Sequence, residues 1–138
     1  MSAVVIDLKK TEDTRDIVHR AVQALVEGQL VVFPTETVYG VAANALDSDA
    51  VSRLIEMKGR DPNRPLALAV KGSDDALDFA PDMSLAARRL ARRCWPGPLT
   101  LVVPHSHPDS AIGQLPDLVR QCLALHGTVG FRVPAHAI

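Results

Sequence analysis

The sequence has only two cysteines, no long apolar run and almost no net charge. Cys94 and Cys122 show no CxxC spacing and stand outside any cysteine-rich context. This pattern indicates neither a disulfide framework nor a cysteine-ligated zinc site. We therefore expect two reduced thiols, half-buried and structural.

No apolar run approaches the roughly 20 residues that a membrane-spanning helix needs. The N-terminus, "MSAVVIDLKK", has neither a basic segment nor a long apolar segment of the kind found in signal peptides. A net charge of −1 does not by itself indicate a nucleic-acid or membrane partner. These absences predict a cytoplasmic protein with no membrane partner.

The common signatures of nucleotide binding and of nucleophilic catalysis are also missing. The sequence contains no GxxxxGK[ST] loop, no GxGxxG turn and no GxSxG elbow. Any nucleotide chemistry must therefore use another kind of phosphate site.

The 138 residues, 47% of them hydrophobic, are enough for one domain with its own core, over 1–138. Helical periodicity predicts a first helix capped by Thr11, Asp13 or Thr14 and ended near Gly28. A second helix is predicted with Asp47 or Ser48 as its cap and Gly59 at its end. Further helices are predicted in "SDDALDFA", "MSLAARRLARRC" and "LPDLVRQCLALHG". Strands are predicted in "VVIDL", "LVVF", "PLALAV", "PLTLVV" and "TVGFRV", with "LVVF" and "PLALAV" buried on both faces. The alternation predicts an α/β fold with a substantially parallel sheet.

Ligands of open α/β sheets bind in the loops that follow the carboxyl ends of strands. After "LVVF", the loop "PTETVYG" offers hydroxyls on Thr35, Thr37 and Tyr39 and a carboxylate on Glu36, while Gly40 permits a ligand to approach the backbone. The same letters also fit a short helix capped by Thr35 or Thr37, with Glu36 in its first turn. The loops "KGSDD", "PHSHPD" and "PAHA" follow the other strands.

Three basic features can be interpreted in two ways each. Lys58 and Arg60 flank a glycine and could bind a polyphosphate, or could stabilise the C-terminus of a helix. Arg132 lies in an apolar strand and needs a partner, either a structural carboxylate such as Glu36 or a substrate carboxylate. The segment "RRLARR" favours a solvated helix end over an RNA or phosphate contact; its arginines are Arg88, Arg89, Arg92 and Arg93.

The segment "HSHPD" contains two closely spaced histidines, His105 and His107. Without a third histidine or a HExxH helix, this pattern favours a surface loop over a metal site.

Four blocks, in this order, resemble the YrdC-like family of threonylcarbamoyl-AMP synthases: "FPTETVYGVAANA", "LIEMKGRDPNRPLALAV", "CWPGPLTLVV" and "TVGFRVPAH". The resemblance extends from about Val4 to the end of the sequence. It implies a twisted, open, mixed α/β sheet with flanking helices and a positively charged concave face. The family continues with a P-S-A-N-like block that this sequence does not contain, so we expect the N-terminal two-thirds of the family domain.

The resemblance also implies an activity and roles for individual residues. Members condense L-threonine, bicarbonate and ATP into L-threonylcarbamoyladenylate and pyrophosphate, for modification of adenosine 37 in tRNA. Thr35, Tyr39 and Arg132 are then expected to bind threonine, and Lys58, Arg60 and Thr128 to bind ATP. Positioning rather than a nucleophilic residue is expected to drive catalysis, Mg²⁺ is expected to assist it, and no protein metal site is expected.

Threonylcarbamoyl-transfer proteins are the expected protein partners. The alternative is a non-catalytic module of the same fold that binds tRNA or double-stranded RNA through Arg88, Arg89, Arg92 and Arg93.

Overall fold

The computed structural model describes residues 3–10, 12–59, 61, 63–105, 108–124 and 126–136. Its α-helices are α1 (Thr14–Val26), α2 (Ser48–Lys58), α3 (Ser73–Phe79), α4 (Leu85–Cys94) and α5 (Asp117–Leu123). Short 3₁₀ helices occupy Leu8–Lys10 and Ala111–Gln114. None of the helices in these described ranges is both long and apolar enough to cross a membrane.

Local sequence signals determine where the first two helices begin and end. The carboxylate of Asp13 accepts hydrogen bonds from the N–H groups of Arg15 and Asp16, so Asp13 is the cap among the described candidates; Thr11 lies outside the described residues. Asp47 caps α2 in the same way, through the N–H groups of Asp49 and Ala50. Gly59 ends α2 in the left-handed region, at φ 56°, where a residue without Cβ is favoured.

The strands form two small sheets. β1 (Val31–Phe33) pairs antiparallel with β2 (Gly40–Ala42), a strand that the sequence pattern did not predict. β3 (Ala67–Ala69), β4 (Thr100–Pro104) and β5 (Thr128–Arg132) form a second sheet in the order β3-β5-β4. β3 is parallel to β5, whereas β4 is antiparallel to it. The mixed, open α/β architecture is confirmed, but the prediction of a substantially parallel sheet is wrong.

Two further predictions about strands are wrong. The segment "VVIDL" forms no strand; Val4 and Val5 are exposed, and no neighbouring strand pairs with this segment in the described part of the chain. An apolar run without a pairing partner has nothing to hold it in a sheet. The strands in "LVVF" and "PLALAV" are not buried on both faces either, because Val32, Ala67 and Ala69 are exposed.

The core lies on one side of the three-stranded sheet. Phe131 and Val129 of β5 are almost fully buried there, and they pack with Val103 of β4 and Leu68 of β3. Helices cover this side and contribute the rest of the core, including Val51, Ala76, Ala87, Val119 and Leu123. Alternate residues of the same strands point to the other side, which we call the open face; it carries Ala67, Ala69, Thr100, Val102, Thr128, Gly130 and Arg132.

Candidate functional site

The loop between β1 and β2 is held in a turn by a threonine hydroxyl. Thr35 Oγ1 accepts hydrogen bonds from the N–H groups of Thr37 and Val38, each at 3.3 Å, and donates to the carbonyl of Val38. No helix follows Thr35 or Thr37, so the interpretation of these residues as helix caps is wrong. The hydroxyl instead fixes the shape of a loop that leads from one strand to its antiparallel neighbour.

Glu36, at the tip of this loop, joins it to the carboxyl end of β5. Its Oε1 accepts a hydrogen bond from Arg132 Nη2, and its Oε2 accepts one from the backbone N–H of Ala135 at 2.7 Å. Arg132 Nη2 also donates to Thr37 Oγ1 at 3.1 Å. Glu36, the structural carboxylate that the sequence suggested as a partner, is therefore in contact with Arg132.

The contacts of Glu36 change its acidity. The pKa of its carboxyl lies below the ordinary value, mainly because of a hydrogen bond from its own backbone N–H. The Ala135 N–H and the Arg132 guanidinium lower the pKa further, while partial burial opposes them. Each of these donors favours the charged form, so Glu36 is an ionised acceptor near neutral pH.

Glu36 does not exhaust the donors of Arg132. The contacts to Glu36 and Thr37 both come from Nη2, and Nε is buried without a hydrogen-bond partner among the described residues. A guanidinium has five N–H donors in a planar fork that matches a carboxylate. With 27% of its side chain exposed, Arg132 is oriented by Glu36 and keeps donors that a ligand could use.

Tyr39 and Gly40 differ in their surroundings. Tyr39 is 74% exposed, so its ring covers no described pocket. A Cβ on Gly40 would lie 3.1 Å from the half-buried ring of Phe33, so this ring occupies the space beside the glycine.

Thr128, one of the candidate nucleotide residues, lies away from Arg132. Thr128 begins β5 and Arg132 ends it, which separates them by about 13 Å along the strand. In the parallel pairing, Thr128 lies beside the segment that leads from α2 into β3. Lys58 is exposed in the last turn of α2, and Arg60 lies outside the described residues. Thr128 and Arg132 therefore lie at opposite ends of β5.

The basic helix α4 contains one structural arginine. Arg88 donates from Nε to the carbonyl of Met83 at 3.0 Å and from Nη2 to the carbonyl of Pro81 at 3.2 Å. It therefore closes the α3–α4 connection, while Arg89, Arg92 and Arg93 are exposed. Only these three fit the predicted RNA contact.

The described residues contain no group of three or more His, Cys, Asp or Glu side chains that could hold a metal ion. His107 lies outside the described residues. Both cysteines are half-buried, as expected, and burial raises the pKa of the Cys122 thiol. No sequence signal pointed to the Ala135 N–H contact, because a backbone donor is the same in every residue except proline.

Comparison with known proteins identifies the family. Residues 23–138 match the model of the Sua5/YciO/YrdC family, which is described as "Telomere recombination". The threonylcarbamoyl-AMP synthase of Pyrococcus abyssi is 45% identical over 114 residues, covering 81% of this chain and 30% of that protein. The threonylcarbamoyl-AMP synthase of Bacillus subtilis is 36% identical over 134 residues, covering 97% of this chain and 36% of that protein.

Solved structures show the same relationship. The crystal structure of P. abyssi Sua5 complexed with L-threonine has a TM-score of 0.74 and 40% identity, covering 91% of this chain and 34% of that one. E. coli YciO shares the fold, with a TM-score of 0.73 and 20% identity over 90% of this chain and 56% of its own. This chain therefore spans about a third of the two synthases described above. The family match over residues 23–138 and the synthase identities show that the chain belongs to the Sua5/YciO/YrdC family.

Proposed function

We propose that this chain carries the threonine-recognition part of a threonylcarbamoyl-AMP synthase. The enzyme would form L-threonylcarbamoyladenylate, pyrophosphate and water from L-threonine, bicarbonate and ATP, for modification of tRNA. The observation that carries the proposal is Arg132, whose guanidinium is held by Glu36 and Thr37 and whose buried Nε has no partner among the described residues. The P. abyssi relative crystallised with L-threonine supports the choice of substrate.

Arg132 would bind the carboxylate of threonine. A carboxylate takes two parallel hydrogen bonds from a guanidinium, and this geometry selects an amino acid over an amine. Glu36 keeps Arg132 in place by accepting two hydrogen bonds. One comes from the guanidinium itself, and the other comes from the backbone N–H of Ala135 just after the strand. Thr35 would shape the loop beside the substrate, and the exposed Tyr39 would border it.

Lys58, Arg60 and Thr128 are the candidates for contacts to ATP. Lysine and arginine suit its phosphates, as a point charge and as a planar fork respectively. The described residues provide no carboxylate cage for a metal ion. Mg²⁺ commonly keeps several waters and binds substrate phosphates, so it could enter with ATP.

The reaction needs alignment more than a nucleophilic side chain. The amino group of threonine attacks the carbon derived from bicarbonate, with loss of water, to give a carbamate. A carbamate oxygen then attacks the α-phosphorus of ATP. The bond between this phosphorus and the oxygen that bridges to the β-phosphate breaks, and pyrophosphate leaves. Cationic side chains would neutralise the charge that develops on the phosphates, and bound threonine would present the carbamate oxygen.

Threonine binding and pyrophosphate release test the proposal separately. Calorimetry of the chain with L-threonine should give saturable binding that Arg132→Gln abolishes and Arg89→Gln, on exposed α4, leaves unchanged. Pyrophosphate release from ATP should require both threonine and bicarbonate. Absence of threonine binding would contradict the proposed recognition role, whereas binding without release would restrict this chain to recognition.

Exposed Arg89, Arg92 and Arg93 favour a second candidate, a module that binds tRNA or double-stranded RNA. If each neutralises a phosphate, the affinity for RNA should fall steeply with salt, with a slope set by the number of contacts. Replacing all three by glutamine should lower RNA affinity and flatten this slope. An unchanged slope would argue against this candidate.

A further inference from the structure

A cleft of about 310 Å³ opens between the C-terminus of α4 and the loops that follow β3 and β5. Its lining residues include Lys71, Ser73, Arg92, Trp95, Pro96 and Val133. Lys71 and Ser73 come from the loop after β3 and the start of α3, and Arg92 comes from the last turn of α4. Three separate elements thus meet around one space.

The cleft is separate from the candidate threonine residues. Arg132 ends β5 on the open face, and the next residue, Val133, is 6% exposed on the side of the core. Consecutive residues of an extended segment point to opposite sides of a sheet. The cleft, lined by Val133, therefore lies on the helix-covered side, while Arg132 points away from it.

Two cations border the cleft, and none of the described residues that line it is acidic. In the part of the chain that the structure describes, neither Lys71 nor Arg92 uses its side chain in a hydrogen bond or an ion pair. Asp74 and Asp75 follow Ser73 in sequence, but neither lines the cleft. An anion entering the cleft would be attracted by both cations.

An apolar wall, formed by Trp95, Pro96 and Val133, also lines the cleft. Trp95 donates its indole N–H to the carbonyl of Leu99 at 2.8 Å, so its ring offers no free donor to a ligand. The N–H of Gly97 donates to the carbonyl of Val133 at 2.9 Å, which ties the turn after Trp95 to the end of β5. A Cβ on Gly97 would lie 2.4 Å from the carbonyl oxygen of Cys94, so the turn has no room for a side chain there. The wall is therefore preformed.

We propose that this cleft binds a small phosphorylated molecule with a planar apolar part. The phosphate group would lie between Lys71 and Arg92, a point charge and a fork that both suit phosphate oxygens, and Ser73 could add a hydroxyl donor. The planar part would lie against Trp95 and Pro96. The volume is at the lower end of the range for small-molecule sites, which favours a mononucleotide-sized ligand.

Trp95 is the single tryptophan of the sequence, so its fluorescence reports directly on the cleft. We expect AMP to change this fluorescence saturably, and adenosine, which lacks the phosphate, to change it much less. Lys71→Gln and Arg92→Gln should each weaken AMP binding about tenfold, because each removes a charged hydrogen-bond donor. Both side chains lie at the surface, and circular dichroism of each variant checks that it folds.

Two control variants and one competing ligand test whether the phosphate binds in the cleft. Arg89→Gln removes a cation of the same helix that does not line the cleft, and Lys58→Gln removes a candidate ATP ligand of the proposed synthase; both should leave the Trp95 response unchanged. No response to AMP, or equal weakening by Arg89→Gln, would overturn the proposal. A single-stranded RNA that binds far more tightly than AMP, and is weakened equally by all the arginine variants, would assign the phosphate to a nucleic-acid backbone and also overturn it.

Discussion

Arg132 and Glu36 lie 96 residues apart in the sequence and form an ion pair that joins the β1–β2 loop to the end of β5. The second oxygen of Glu36 accepts the N–H of Ala135, so one carboxylate holds both the side chain of the arginine and the backbone that follows it. The pair thus fixes the position of a loop and the orientation of a candidate ligand-binding residue at once.

Glu36→Gln should lower stability at neutral pH, because an amide has one acceptor oxygen and cannot serve both Arg132 and the Ala135 N–H. The pKa of Glu36 in the folded protein lies below the ordinary value for a glutamate. The ionised carboxylate therefore stabilises the fold above that ordinary value, and this contribution is lost as the pH falls through the folded value. Urea unfolding at several pH values should show the difference between the two proteins shrinking under acidic conditions. Glu56→Gln, on the exposed surface of α2, is the control. A difference that persists unchanged at low pH would contradict this account.

Arg132→Lys should weaken threonine binding by about tenfold or more, although it keeps the positive charge. Lysine cannot donate two parallel hydrogen bonds to one carboxylate while it also contacts Glu36 and Thr37. Calorimetric titration with threonine measures the change, and threoninol, which lacks the carboxylate, provides the matched ligand. If the lysine variant binds threonine as the parent does, then the planar fork is not the recognition element.

Gly97→Ala should destabilise the fold by about 1–3 kcal/mol, the usual cost of forcing extra volume into a packed site. The added Cβ would meet the backbone oxygen of Cys94 at 2.4 Å, and a backbone atom cannot rotate away as a side chain can. Gly113→Ala is the matched control, since a Cβ there meets nothing within 4 Å. Urea midpoints of the two variants give the comparison; equal midpoints would show that the turn at Gly97 adapts.

Phe131→Ala should cost about 3–5 kcal/mol of unfolding free energy, because it removes a large, fully buried side chain and leaves a cavity. Phe131 lies in the central strand and its ring is 6.3 Å from that of Phe79. Thermal or urea unfolding measures the loss. Val102→Ala, on the open face of the neighbouring strand β4, should change stability far less. A small loss of unfolding free energy in Phe131→Ala would mean that neighbouring core side chains move to fill the cavity.

Arg88→Gln should lower stability by about 1–2 kcal/mol and leave any RNA affinity unchanged, because Arg88 bonds the carbonyls of Pro81 and Met83. Arg89→Gln, one residue further along α4 and exposed, should show the opposite pattern if RNA binds this helix. Unfolding curves and filter binding of RNA separate the two effects. Loss of RNA affinity in the Arg88 variant at full stability would assign Arg88 to the interface.

Helices were predictable from the sequence because their signals are local. Asp13, Asp47 and Gly59 stand where caps are chemically needed, and the periodic apolar residues between them form buried faces. Strands were less predictable, because pairing depends on distant segments. β2 has three small or apolar residues and no turn signal of its own, and it forms only because Val31–Phe33 lies beside it.

The site could be predicted in part for the same reason. An arginine in an apolar strand had to find a partner, and Glu36 was one of two partners that the sequence offered. The separation of Thr128 from Arg132 follows from the length and direction of β5, which the amino-acid sequence alone does not reveal. The cleft beside Trp95 depends on three segments that are remote in sequence, and so no single motif predicted it.

Successive side chains of β5 point to opposite sides of the sheet, with Phe131 directed into the core and Arg132 directed to the open face. Deleting or inserting one residue within this strand would exchange the two directions. The guanidinium would then be desolvated in the core, and the aromatic ring would take its place on the open face. Mutations that shift the frame of this strand should therefore abolish both folding and any ligand binding by Arg132.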